Sequence, residues 1–320
     1  MRFAPTEDQL ALRDAVVDVL TRECPPSLVR SATDDPTAGR PMWSTLAEMG
    51  VLDALASEES GGMGFGLSDI TPLARAAGMA ALPMPFVEHV FLAAPALGAL
   101  GDLVVTATDG SLLPYSALAD RALLVRDGRL AEIPQTTFRS FELEETVDLA
   151  RPLARVPLEV EAAEVLGATE TARATTRAAL GTAAMLTGLA QTMLNMTVEY
   201  VKERKQFGAP IGSFQAVKHH LANVRIAIEF TDPMIAAAAW AVDTEQADGE
   251  MLVAMAKVRA NTTARLAATT CLQCHGAIGY SYEHDLGLWM KRAWALSESW
   301  GSSSAMRRAA GAALGMTPSK

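Results

Sequence analysis

The chain has 320 residues, half of them apolar, a formal net charge of −10 and three cysteines. It is long enough to bury a large core and to divide into two or three domains. The acidic balance excludes a nucleic-acid binder, which needs a basic field to displace counterions from phosphate. No apolar run reaches membrane-spanning length. The segment Met1 to Gln9 is polar and acidic and lacks the apolar stretch of an export signal. The expected location is therefore the cytoplasm, where Cys24, Cys271 and Cys274 stay reduced.

From Asp8 to Leu100 the pattern is helical, with Leu12, Val16 and Val19 on one face and Trp43, Leu46 and Met49 on another. Loops interrupt it at Pro25-Pro26, at Asp34-Asp35-Pro36 and through Gly61-Gly62-Met63-Gly64-Phe65-Gly66. Between Asp102 and Pro157 the texture changes to short strand-like runs. Leu123-Leu124-Val125 leads into an Asp127-Gly128 turn, and Val156, Leu158 and Val160 alternate with polar residues. From Ala162 the helical period returns, with stripes through Met185, Leu189, Met193, Met196 and Tyr200, through Val217, Leu221, Val224 and Ile228, and through Met251, Met255, Val258 and Leu266. These stripes are core packing. The expected fold is mainly α with a small β domain: an N-terminal helical domain over residues 1–100, a reduced β middle domain over 101–161, and a C-terminal four-helix bundle over 162–320.

Two segments stand out chemically. Lys202-Glu203-Arg204-Lys205-Gln206-Phe207-Gly208-Ala209-Pro210-Ile211-Gly212-Ser213-Phe214-Gln215 closes one helix and opens the next, and from Lys202 to Arg225 five basic residues face one acidic residue. A basic patch beside a helix N-terminus suits a phosphate or pyrophosphate, and it also suits a plain solvated helix end. The second segment runs from Cys271 through Gln273, Cys274, His275, Gly276 and Ala277 to Glu283. Its first five residues spell the C-x-x-C-H haem-attachment pattern. The setting inside an amphipathic helix, without an export signal, argues against haem, and no second ligand pair with zinc spacing accompanies it. The cysteines read as small apolar fillers, and no metal is expected.

Taken together, R-x-Q-F-G-x-P-I-x-x-F-Q and the later Q-x-H-G-x-x-G-Y-x-x-E, followed by Lys291-Arg292, resemble the acyl-CoA dehydrogenases. The resemblance covers nearly the whole chain, including the Trp43 to Gly50 stretch and Gly61-Gly62-Met63-Gly64. It implies that Arg204 and Phe207, with Gln206, Ile211, Phe214 and Gln215 in the same crevice, contact the ADP half of an FAD held mainly by a neighbouring subunit. Gln273, Gly276 and Ala277 would meet the flavin pyrophosphate. In that family a Glu removes the α-proton of an acyl-CoA while hydride passes to the flavin from the opposite side.

The family's base positions are empty here. Counting from Arg292, the Y-E-G-T stretch becomes Trp300-Gly301-Ser302-Ser303, and the alternative position before the R-x-x-F-G motif falls at Ala178. Nothing between Leu100 and Ala162 resembles the T-E-P-x-A-G-S-D stretch that holds the isoalloxazine. The resemblance therefore points to the short, base-less subunit of the actinobacterial steroid-degrading α2β2 acyl-CoA dehydrogenases. There a full-length subunit supplies the Glu and an electron-transfer flavoprotein is the acceptor. The alternatives are a homo-oligomer with a displaced base, Glu298, Glu283 or Asp285, and a flavin-free structural or regulatory subunit.

Overall fold

The computed structural model describes residues 6–316. Thr6 and Gln9 form a reciprocal capping box that opens α1 (Glu7–Glu23). Pro26, with its fixed φ and no N–H to lose, starts α2 (Pro26–Ser31). A 3₁₀ turn at Pro36–Gly39 leads into α3 (Arg40–Glu48), and α4 (Leu67–Met79) follows the glycine-rich loop. A buried π-helical turn, Val87–Ala93, and α5 (Ala94–Leu97) complete the N-terminal part.

The middle of the chain supplies β1 (Val105–Thr108), β2 (Leu112–Pro114), β3 (Arg121–Arg126), β4 (Arg129–Ile133), α6 (Gln135–Phe138), β5 (Leu143–Glu144), β6 (Leu153–Arg155) and β7 (Ala163–Leu166). They form two small sheets, ordered β1-β3-β4-β7 and β2-β6-β5, with β1 parallel to β3 and every other pair antiparallel. The Asp127-Gly128 turn joins β3 to β4 with both residues at positive φ, 50° and 73°, as a tight hairpin requires. The alternation through Val156, Leu158 and Val160 is not a strand: Leu158 is 91% exposed and the segment is irregular. The last strand of this middle part is instead β7, so helix begins at Ala168 and not at Ala162. Period-2 alternation over so few residues does not distinguish a strand from a loop that touches the core at both ends.

The C-terminal part is α7 (Ala168–Glu203), a short hairpin of β8 (Lys205–Gln206) and β9 (Ala209–Pro210), then α8 (Gln215–Asp243), α9 (Gly249–His275), α10 (Leu286–Glu298) and α11 (Ser303–Ala313). The Met185 and Val224 stripes are core, as their spacing predicts. The third stripe is not: Met255 and Leu266 lie on the exposed side of α9, while Val253, Ala256, Lys257, Ala260 and Asn261 are buried. Small residues face inward there because the helices pack closely, and the large apolar ones are left outside. The crossing of α4 and α7 shows the same constraint. A methyl at Gly78 would run into the carbonyl of Met185, and one at Gly188 into the carbonyl of Arg75. The two backbones touch through glycine.

Three segments meet at Arg292 on α10, which is buried and fully engaged. Its Nε pairs with the Asp148 carboxylate, its Nη1 donates to the carbonyls of Ala81 (3.1 Å) and Leu82 (2.7 Å), and its Nη2 donates to the carbonyl of Ala150 (3.1 Å). Asp148→Ala would leave that cation buried without its counter-charge and is expected to destabilise the fold by about 3–5 kcal/mol in denaturant unfolding. A loss below about 1 kcal/mol would show that the carbonyls alone satisfy Arg292.

Candidate functional site

At one end of the bundle, α7 stops at Arg204, whose extended backbone turns the chain into the β8-β9 hairpin. Phe207 and Gly208 occupy its tip at φ 54° and 80°. This left-handed pair throws the Phe207 ring into solvent, 93% exposed, edge-on to Phe214 at 6.2 Å. The Ile211 N–H donates to the Arg204 carbonyl (2.8 Å), and Phe214 then precedes α8, whose first N–H groups have no side-chain cap. Arg204, Lys205, Gln206 and Gln215 are exposed, and among the described residues Arg204 and Lys205 have no acidic partner, whereas Lys202 pairs with Glu199 at 2.6 Å. The arrangement offers an exposed aromatic ring, two free cations and a helix N-terminus, all suited to an anion bearing a flat ring.

The second motif arrives at the same end. Tyr200, one turn before the hairpin, stacks on His275 at 4.3 Å, and His284 stands edge-on to both rings. Beyond His275, Gly276 adopts φ 63° and ψ −142°, and a methyl built there would meet nothing within 4 Å. Gln273 and Ala277 are exposed beside it. The histidine contact between the two motifs was not legible in sequence, because seventy-five positions separate Tyr200 from His275. Cys271 is wholly buried, and burial pushes its thiol up to about 12. His275 Nδ1 is 2.8 Å from the Cys271 carbonyl, and burial lowers its basicity. The described residues contain no group of three metal-binding side chains.

The opposite end carries Gly301, Ala178 and Glu298. Lys257 on α9 lies 18 residues before His275, about 27 Å along the helix. There α10 ends, and Trp300 (φ 51°) and Gly301 (φ 115°) turn the chain into α11. A side chain at Gly301 would collide with Met306. Lys257 is buried beneath this turn and donates to Asn261 Oδ1 (2.8 Å) and to the carbonyls of Leu296 (3.1 Å) and Ser297 (3.4 Å), the orphan acceptors at the end of α10. Asn261 in turn donates to Ser303 Oγ at 3.2 Å. Burial brings the Lys257 amine down to about 7, against the attraction of Glu298 and Asp109. Ala178 is fully buried inside α7, and Glu298 is exposed at the rim of a cleft of about 340 Å³ between the β1-β2 turn and the end of α10. Glu283 and Asp285 lie at the other end of α10, and Asp285 is paired with Arg30 at 2.5 Å.

The family model for the acyl-CoA dehydrogenase N-terminal domain matches residues 6–102, and that for the C-terminal domain matches residues 149–315. The chain belongs to the acyl-CoA dehydrogenase family. It is similar to acyl-CoA dehydrogenase IpdE2 of Mycobacterium tuberculosis, 33% identical over 307 residues that span 91% of this chain and 92% of that protein. Among solved structures it is similar to a chain of the ChsE4-ChsE5 complex from Mycobacterium tuberculosis, with a TM-score of 0.83, 25% identity and complete coverage of both chains. The fold also matches a chain of the Tcur3481-Tcur3483 steroid ACAD at a TM-score of 0.84 and 22% identity, covering 97% of this chain and 98% of that one. No helix among the described residues is long and apolar enough to cross a membrane.

At the end that holds Gly301, a buried lysine stands behind the loop. The lysine makes stability depend on pH in a definite direction. Its ordinary pKa is about 10.4, so between about 7 and 10 the unfolded chain binds the proton that the folded chain has released. Stability then rises with pH. The unfolding free energy of the wild type minus that of Lys257→Met is expected to grow between pH 7.5 and 9, approaching about 1.4 kcal/mol per pH unit. A difference independent of pH would mean that Lys257 stays charged in the fold.

Proposed function

We propose that this chain is the base-less subunit of an FAD-dependent acyl-CoA dehydrogenase of α2β2 type, acting on a steroid-derived or similarly bulky acyl-CoA. One observation carries the reading: both positions where the family holds its catalytic Glu, Gly301 and Ala178, lack a carboxylate, while the far end of the bundle keeps a complete set of anion and ring contacts. The full-length partner supplies the Glu and the cradle for the isoalloxazine.

The far-end residues fit an ADP group. Arg204 and Lys205 present uncompensated cations, the α8 N-terminus presents free N–H groups, Phe207 presents an open ring face, and Gly276 leaves room for close backbone approach. In this reading Gln206, Ile211, Phe214 and Gln215 line the adenosine side, and Gln273, Gly276 and Ala277 line the pyrophosphate side. Bound FAD supplies the hydride acceptor, and an electron-transfer flavoprotein then reoxidises it. This chain's own residues bind and orient.

Exposed apolar side chains along the bundle support a partner. Ile226 and Phe230 on α8, Met255 and Leu266 on α9, and Leu314 and Met316 after α11 stand in solvent. Such a surface is unusual for a free monomer. The names of the related proteins, an acyl-CoA dehydrogenase and two-component complexes, agree with this assignment.

Co-expressed with a full-length family member, the chain is expected to form a yellow α2β2 particle with two FAD per tetramer, read by native mass spectrometry and flavin absorbance. Expressed alone it is expected to be colourless and without acyl-CoA turnover. Four FAD in a homotetramer of this chain, with activity lost in Glu298→Ala, would establish the displaced-base alternative, and a stable complex whose flavin needs no residue of this chain would establish the structural one. Arg204→Ala in the assembled particle is expected to weaken FAD retention by roughly 1.5–3 kcal/mol, the value of a charge-assisted hydrogen bond. Its exposed position predicts little change in folding stability. Unchanged flavin content after gel filtration at low concentration would remove Arg204 from the site.

A further inference from the structure

Two buried arginines neighbour Asp148, Arg292 as its ion-pair partner and Arg151 three residues along the chain, and they differ in one respect. Arg292 uses every side of its guanidinium on protein acceptors. Arg151, only 6% exposed, uses one nitrogen: its Nη2 reaches Glu88 Oε1 at 3.5 Å and Ser299 Oγ at 3.1 Å. Its Nε and Nη1 have no hydrogen-bond partner among the described residues. Those two nitrogens are not sealed off either, since among the described residues the only enclosed, unpartnered side-chain polar atoms belong to His89 and His275. The free donors of Arg151 therefore open onto the cleft that the residue lines.

The cleft has the other attributes of a binding site. Its volume of about 340 Å³ lies within the usual range for small-molecule pockets. Ala107, Leu112, Pro114, Leu153 and Trp300 supply apolar wall around the single buried cation. Trp300 is itself buried and held at φ 51°, a conformation that a bulky residue adopts only where its surroundings enforce it. Glu88, on the π-helical turn, balances the charge of Arg151 from behind at a distance too long to occupy its fork.

The chemistry of the ligand follows from this charge layout. A planar guanidinium with two free donors matches a carboxylate bidentately. Asp109 and Glu298 stand at the mouth. Partial desolvation raises the Asp109 carboxyl above the usual range, opposed by Lys257 and Arg151, although the residue as a whole is exposed. These acids penalise a dianion such as phosphate more than a monoanion.

We propose that this cleft is a binding site for apolar monocarboxylates, anchored by the free donors of Arg151 with Trp300 as wall. The site is separate from the far-end contacts and does not depend on the subunit assignment above, because it is read by binding alone, without flavin or turnover.

Isothermal titration of the full chain, or of its complex where the chain is isolated as one, with 1-adamantanecarboxylate and its neutral counterpart 1-adamantanemethanol tests the proposal. The carboxylate is expected to bind at least tenfold more tightly than the alcohol, and inorganic phosphate more weakly than the carboxylate. Arg151→Gln alone would strand Glu88 as a buried charge, so the informative variant is Glu88→Gln with Arg151→Gln, which removes both charges together. It is expected to abolish the tenfold preference while retaining its circular dichroism. Should the double variant not fold, Ala107→Trp, which fills the cleft from β1, is expected to abolish binding of both compounds. Equal affinity for acid and alcohol, no saturable binding of either, a preference that survives the double variant, binding that survives Ala107→Trp, or tighter binding of phosphate would each overturn the assignment.

Discussion

The buried guanidinium of Arg292 is the point on which the three parts of the chain converge. It belongs to α10 in the C-terminal bundle, yet it satisfies two carbonyls of the N-terminal part, Ala81 and Leu82, and a carboxylate and a carbonyl of the middle part, Asp148 and Ala150. An arginine can be kept in the interior only if nearly all its donors are matched, since desolvation of the ion costs several kcal/mol. That requirement makes the contact cooperative: moving any one segment leaves the cation short of partners. The placement of the cleft follows in part, because the end of α10 and Arg151, three residues beyond Asp148, both line it opposite the β1-β2 turn.

The bundle separates two kinds of surface along its length. At one end Tyr200 and His275 bring the ends of α7 and α9 together, and the exposed residues there are cations, amides and an aromatic ring. At the other, the Lys257-Asn261 pair fastens the α10-α11 turn, and the surroundings are concave and mostly apolar. Rigid helices fix the distance between these surfaces. In the function proposed above, the far-end contacts serve a cofactor that a partner holds, at a fixed distance from the cleft.

Much of this was legible in the sequence, and the failures have physical causes. The R-x-Q-F-G run was readable because Phe207-Gly208 is a turn that needs positive φ, and turn chemistry is local. The inward stripes of α7 and α8 were readable because large apolar side chains mark their faces. On α9 the same reasoning put Met255 and Leu266 inside, whereas alanines and a buried lysine face the core: close helix packing selects small residues, and a lysine can be kept inside when helix-end carbonyls await it. The segment from Val156 to Val160 alternates by chance over a loop. Arg151 had no signal at all. It is one of many arginines in the chain, and what sets it apart is the lack of partners for two nitrogens, which only the fold reveals.

The turn at Trp300-Gly301 bears on which residues position 301 can hold. Its left-handed backbone and the Met306 side chain occupy the space that any Cβ at position 301 would need. A glutamate there would have to adopt the strained φ of 115° and would push the Met306 side chain aside. The backbone of this turn therefore favours glycine at position 301 whatever the neighbouring side chain does, and any other residue there is held at a conformational cost.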